Sequence, residues 1–231
     1  MKKPTLLTLF IFLTLSLNAQ QFSSQFGNVI SIIDYKNSAG ESYGDIQGST
    51  NFHAQIGIKL PIRRSNFYFL SGFAYNKYGA KGSSEEMKSS FDFNVNYIGI
   101  NLGAGYEFLK FGSFQNTKNT NTEHGFTFYT QFAIAPEFLI QGTQTINTPT
   151  INNKVINLMG AEQFDKPIFF VRGGIGAVYY ASKTISVFAE YMGGRSFSLI
   201  KSDSNDQEEM FFITHTISTG LSISLPLYKK K

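Results

Sequence analysis

Residues 125–140 read GFTFYTQFAIAPEFLI, with Phe126, Phe128, Phe132, Ile134, Phe138 and Ile140 on even positions and Thr127, Tyr129, Gln131, Ala133, Ala135 and Glu137 on odd ones. Side chains that alternate with a period of two belong to a β-strand, and this run is longer than the usual five or six residues. A strand with one greasy face must set it against a core or against lipid. The rest of the chain decides which.

The same alternation recurs. Phe22–Ile33, Asn51–Pro61, Phe67–Tyr78, Asp92–Leu109, the segment above, Ile168–Tyr180, Ile185–Leu199 and Phe211–Leu227 give eight predicted strands. In the last, Phe211, Ile213, Ile217, Leu221, Ile223 and Leu225 share one face, and Phe212, Thr214, Thr216, Ser218, Gly220 and Ser222 the other. The apolar parity of the fourth switches near Tyr97, which predicts a bulge there. Glycines within the strands, among them Gly72, Gly99, Gly105, Gly173, Gly176, Gly193 and Gly194, are read as further bulges and corners.

Connections 34–50, 79–91, 141–167 and 200–210 are long, whereas 61–66 and 181–184 are short. That alternation fits an up-and-down barrel with short periplasmic turns and longer outer loops. Segment 110–124, KFGSFQNTKNTNTEH, is the exception and reads as an Asn/Thr-rich insertion. Residues 154–164, KVINLMGAEQF, are expected to form a short amphipathic helix or cap over the barrel mouth, the first place to look for a partner contact.

The polar faces separate lipid from water. A water-washed sheet carries Lys, Glu and Arg, yet here Ser, Thr, Gly, Gln and Ala dominate, as in a filled eight-stranded interior. Only 16% of residues are charged, against about 25% in soluble domains. Aromatic girdles are expected from Phe126, Phe138, Phe169, Tyr179, Tyr191, Phe197 and Phe211. Arg195 falls on the lipid-facing parity and must either sit at the outer rim or be turned inward by Gly193 and Gly194.

The N-terminus, MKKPTLLTLFIFLTLSLNAQ, has the layout of a secretory signal peptide, 1–20, and its apolar run is too short to span a membrane as a helix. Residues 21–228 then form one outer-membrane β-barrel, followed by a basic tail, 229–231. The expected fold class is all-β: an eight-stranded antiparallel up-and-down transmembrane β-barrel in the outer membrane. The 20 Lys and Arg outnumber the 16 Asp and Glu only through Lys2, Lys3 and the tail lysines, so no basic face for nucleic acid exists. The chain has no cysteine, which excludes disulfides and thiolate metal sites.

Parity turns His53, Gln55, Lys59, Glu107, Glu137, Arg172 and Glu190 inward. Glu137 and Arg172 lie at matching depths in neighbouring strands and are predicted to form a lumen charge pair, read either as a gate or ion path or as a plug that fills the barrel. No catalytic, cofactor-binding or metal site is expected: His53 has no serine on its own strand face, His124 lies in the polar connection, and His215 points outward. The acidic segment 202–209, SDSNDQEE, lacks calcium-loop spacing and reads as solvated.

NAQQF at the end of the signal, NFHAQIGIKLPIRRSNFYFLSGFAYNKYGAKG across strands two and three, and a closing strand with Ser218, Gly220, Ile223 and Leu225 resemble the PorT-like outer-membrane β-barrel family of the Bacteroidota. The resemblance implies an outer-membrane protein, in some members associated with type IX protein secretion. The closing strand also looks like a signal for the barrel assembly machinery. Outer-membrane lipid and lipopolysaccharide, that machinery, and envelope or secretion-complex proteins are the expected partners. The leading expectation is a non-enzymatic barrel with a structural, adhesive or complex-forming role through its outer loops. The alternatives are a PorT-like secretion component and a soluble lipocalin-like periplasmic ligand carrier.

Overall fold

The structure is a computed structural model that describes residues 20–36, 39–40, 46–62, 65–84, 89–112, 125–150, 153–160, 167–197 and 209–225. The signal segment, most of the 110–124 insertion with His124, residues 202–208 and the lysine tail lie outside them.

Nine strands form: β1 (Gln21–Lys36), β2 (Ile46–Pro61), β3 (Phe67–Ser84), β4 (Ser89–Gly112), β5 (Gly125–Asn147), β6 (Lys154–Asn157), β7 (Ile168–Tyr180), β8 (Ile185–Ser196) and β9 (Glu209–Ser224). Eight of them make the antiparallel order β4-β3-β2-β1-β9-β8-β7-β5, and β4 pairs with β5 to close the ring. Closure removes every free edge from the ring, which a membrane requires because lipid cannot satisfy exposed N–H and C=O groups. Gln21 pairs with both Lys59 and Ser224, so the described chain ends, the β2–β3 junction between Ile62 and Phe67 and the tight turn at 181–184 share one end of the barrel. That end is the periplasmic one by the short-turn rule.

The alternation sorts as the sequence predicts. Phe126, Phe128, Phe132, Ile134, Phe138 and Ile140 are exposed, as are Ile217, Leu221 and Ile223, whereas Thr127, Glu137, Thr214 and Ser218 are buried. From Ile185 to Arg195 the exposed parity of β8 climbs ten residues, or about 25 Å at ~3.3 Å per residue and a tilt of ~40°. That is the height of a hydrocarbon band, and the barrel spans an outer membrane. Aromatic pairs Phe67–Tyr106 and Phe126–Tyr179, with ring centroids 4.7 and 4.8 Å apart, mark its lower margin.

Several expectations are corrected. Residues 154–157 are not helical: they form β6, which pairs with Thr143–Ile146 of β5. The reason is that β5 outruns β7, whose first residue Ile168 pairs with Glu137, leaving ten further residues of β5 with a bare edge that β6 covers in part. The connections 79–91 and 141–147 are largely strand as well. The parity switch near Tyr97 is not a bulge in β4, whose odd positions stay inward from Val95 to Glu107; the register slips because β5 carries an extra residue between Leu139 and Gln141. What changes at Tyr97 is the chemistry of the interior. None of the glycines read as bulges falls at one of the described register shifts, which lie at Gly48/His53, Asn96/Tyr97 and Glu107/Leu109. Two of them make room for the charged pair: a Cβ on Gly99 would sit 2.7 Å from Glu137 Cγ, and one on Gly194 2.8 Å from Arg172 Cγ.

Candidate functional site

The interior is stacked in three tiers. At the outer mouth Val29, Ile33, Tyr78, Val95, Tyr97, Phe170, Met210 and Phe212 form a buried apolar plug, capped from the side by Leu158 beside β6. The Tyr78 ring lies 5.5 Å from Phe212, 5.6 Å from Phe170 and 5.7 Å from Tyr97. Near the periplasmic end Tyr68, Tyr129, Val178 and Phe188 form a second apolar cluster. Between them lies a polar layer.

The structure brings Glu137 and Arg172 together. Arg172 Nη2 is 2.6 Å from Glu137 Oε1, with the carboxylate fully buried and the arginine 7% exposed. Asn76 Nδ2 donates to the same oxygen at 2.7 Å, and the Tyr78 hydroxyl donates to Oε2 at 2.8 Å. Arg172 also donates to the Tyr78 oxygen at 2.7 Å and to Asn101 Oδ1 at 3.2 Å, and its guanidinium lies 4.5 Å from the Phe170 ring centre. Tyr78 thus belongs to both tiers, its ring in the plug and its hydroxyl on the ion pair.

Because the Asn76 amide nitrogen is spent on Glu137, its oxygen must accept, so His53 Nδ1 donates to it at 2.6 Å. His53 Nε2 is then an acceptor, and Gln25 Nε2 approaches it at 3.4 Å while also donating to Glu190 Oε1 at 2.9 Å. Glu190 further accepts from Tyr129, Gln131 and Ser218 at 3.1, 2.9 and 3.4 Å. One chain of hydrogen bonds therefore crosses the lumen from Arg172 to Glu190. Below it Lys59 Nζ bonds Glu107 at 2.7 Å and lies 3.8 Å over the Tyr68 ring centre, with Lys110 at 3.2 Å on the other carboxylate oxygen.

The amides Gln25, Asn76 and Asn101, which with Gln131 hold this layer together, were not singled out from the sequence, although parity alone turns each of them inward. Cavities of about 70 and 30 Å³ flank the network. They have room for a few waters, and the plug shuts them from the outer mouth.

Arg195 stays outward at the upper margin of the band, 3.9 Å from Asp34 and with its guanidinium 4.4 Å from the Phe211 ring centre. His215 also faces outward, its Nδ1 2.6 Å from the Tyr191 hydroxyl. Among the described residues no three His, Asp or Glu side chains converge as metal ligands do.

No protein family model and no curated protein matches the chain. Among solved structures, Neisserial surface protein A is similar at 12% identity and a TM-score of 0.44, over 88% of this chain and 97% of that one. Outer membrane protein OprG from Pseudomonas aeruginosa gives 9% and 0.43 over 90% and 97%, and outer membrane protease OmpT from Escherichia coli 8% and 0.40 over the same shares. Likeness at this level assigns no activity, since one fold hosts many functions.

Proposed function

We propose that the protein is a non-enzymatic outer-membrane barrel whose closed body anchors a raised outer wall that docks a partner, in an adhesive or complex-forming role. The carrying observation is the shape of the rim. Above the level where β7 begins, β3, β4 and β5 continue as paired strands, with Ser84 opposite Ser89 and Ser90 opposite Asn147. Their outward face turns from Phe73, Ile98 and Phe138 to Lys77, Lys81, Asp92 and Asn94, so the wall stands clear of lipid in water. A ladder of backbone hydrogen bonds holds it rigid, and rigidity lowers the ordering cost of binding.

The lumen supports the non-enzymatic reading. Both His53 nitrogens are engaged by Asn76 and Gln25, and His215 is held by Tyr191, so no described histidine is hydrogen-bonded to a serine or threonine hydroxyl as its base. A soluble lipocalin-like carrier needs a polar exterior and a hollow interior, whereas here the exterior band is apolar and the interior is filled by side chains. The test is a variant in which residues 82–91 are replaced by a two-residue turn. It is expected to retain heat-modifiable gel mobility and to lose both the surface adherence and the envelope complex on native gels that this reading expects of the wild type; wild-type behaviour in both would overturn the reading.

The PorT-like export role is supported by the sequence resemblance across β2 and β3. Deletion of the gene followed by a secretion assay tests it, and unchanged secretion would remove it.

A further inference from the structure

The lipid-facing surface of β7, β8 and β9 carries a polar cluster in a band otherwise lined by large apolar side chains. The pairings Val171 with Arg195, Gly173 with Gly193, and Gly193 with His215 put these residues on one outward patch. Arg195 is uppermost, held against Phe211 and within 3.9 Å of Asp34 at the membrane boundary. One outward step lower, about 7 Å along the strand, the Tyr191 hydroxyl meets His215 Nδ1 at 2.6 Å. If tyrosine donates, the imidazole proton sits on Nε2, which leaves a donor on the outward face of the barrel. Beside this pair the outward surface is bare: the nearest atoms to a Cβ on Gly173 or Gly193 are 3.8–3.9 Å away. Phe132, which pairs with Gly173, walls the far side.

From the boundary inward the patch thus presents a cation and, one outward step lower, a hydrogen-bond donor with an open shelf beside it on the same rung. A membrane lipid presents a phosphate and, below it, acyl-ester carbonyls from which the chains run on. We propose that this patch is a specific site for one phosphorylated, acylated glycolipid of the outer leaflet, its phosphate on Arg195, an acyl carbonyl on His215 Nε2 and a chain laid over Gly173 and Gly193. The arginine fork matches phosphate geometry, and the charge sits where the headgroup lies, so it need not enter the hydrocarbon. The inference rests on the transmembrane reading of the barrel but not on the partner role of the wall.

Native mass spectrometry of the purified barrel, released from detergent with monophosphoryl lipid A added, tests it. Wild type is expected to keep one lipid adduct. Arg195→Gln and Gly193→Leu should each weaken retention by about tenfold, Arg195→Lys should restore part of it, and Lys77→Gln, which alters another boundary cation on the opposite side of the barrel, should leave it unchanged. Lipid A lacking its phosphate should bind wild type as poorly as the Arg195→Gln variant binds the phosphorylated form. Undiminished adducts in Arg195→Gln, or a dimer of the chain that Gly193→Leu abolishes while lipid retention persists, would overturn the proposal. Heat-modifiable mobility of each variant shows separately whether the barrel itself has formed.

Discussion

Replacing Glu137 by Gln leaves the Arg172 guanidinium buried without its counter-charge. The pair is 2.6 Å apart, with side-chain exposures of 0% and 8%. Breaking such a pair from one side costs about 3–5 kcal/mol. Two unit charges with centres about 4 Å apart at an effective dielectric near 20 attract by about 4 kcal/mol, which agrees. Glutamine still offers one oxygen to Asn76, but its amide nitrogen meets the Tyr78 hydroxyl, so a loss of about 3 kcal/mol is expected for Glu137→Gln and a similar one for Arg172→Met. The double variant removes both charges together, so it should lose about 3 kcal/mol rather than 6, a coupling of about 3 kcal/mol. With no tryptophan in the chain, the assay is the fraction of heat-shifted barrel in a urea series in lipid vesicles. Losses that add to within about 0.5 kcal/mol would refute the buried pair and the register that makes it.

Gly99→Val places a side chain 2.7 Å from Glu137 Cγ and should cost about 1–3 kcal/mol in the same series, whereas Gly173→Ala on the open outer face should stay within about 0.5 kcal/mol. Phe212→Ala empties the centre of the plug, where the ring is fully buried 5.5 Å from Tyr78; it should cost about 3–5 kcal/mol. In planar bilayers the wild type is expected to show no steady conductance, and Phe212→Ala with Phe170→Ala is expected to give discrete steps. Lys59→Met should cost about 1.5–3 kcal/mol, less than the loss of the Glu137 charge because Lys110 remains 3.2 Å from Glu107; urea midpoints at low and high salt measure it.

The fold was legible because a barrel strand in lipid repeats one demand, apolar out and small or polar in, at every second residue. That demand produced eight segments, of which β1–β5 and β7–β9 are the ring. The inward face of Glu137 and Arg172 was legible from parity, but their matching depth was not borne out: Glu137 pairs with Ile168 and Arg172 with Ala133, four residues apart along the strands, and their long side chains close that offset. Arg195 was left with two placements because parity does not say whether the adjacent glycines break the alternation, nor how the membrane margin runs across strands of unequal height. β6 was missed because four residues carry too few alternations to read, and only the bare edge of β5 beyond Glu137 makes them a strand. The tiers were hidden too. Tyr97, Phe170 and Phe212 take the inward parity, but their grouping at one height depends on strand tilt and stagger, which are properties of closure. The sequence by itself determined the face each side chain takes and the number of strands that close. Only the tertiary structure decided which inward residues share a level, and so which donors reach Glu137 and Glu190, because hydrogen bonds across the lumen join strands that no local pattern relates.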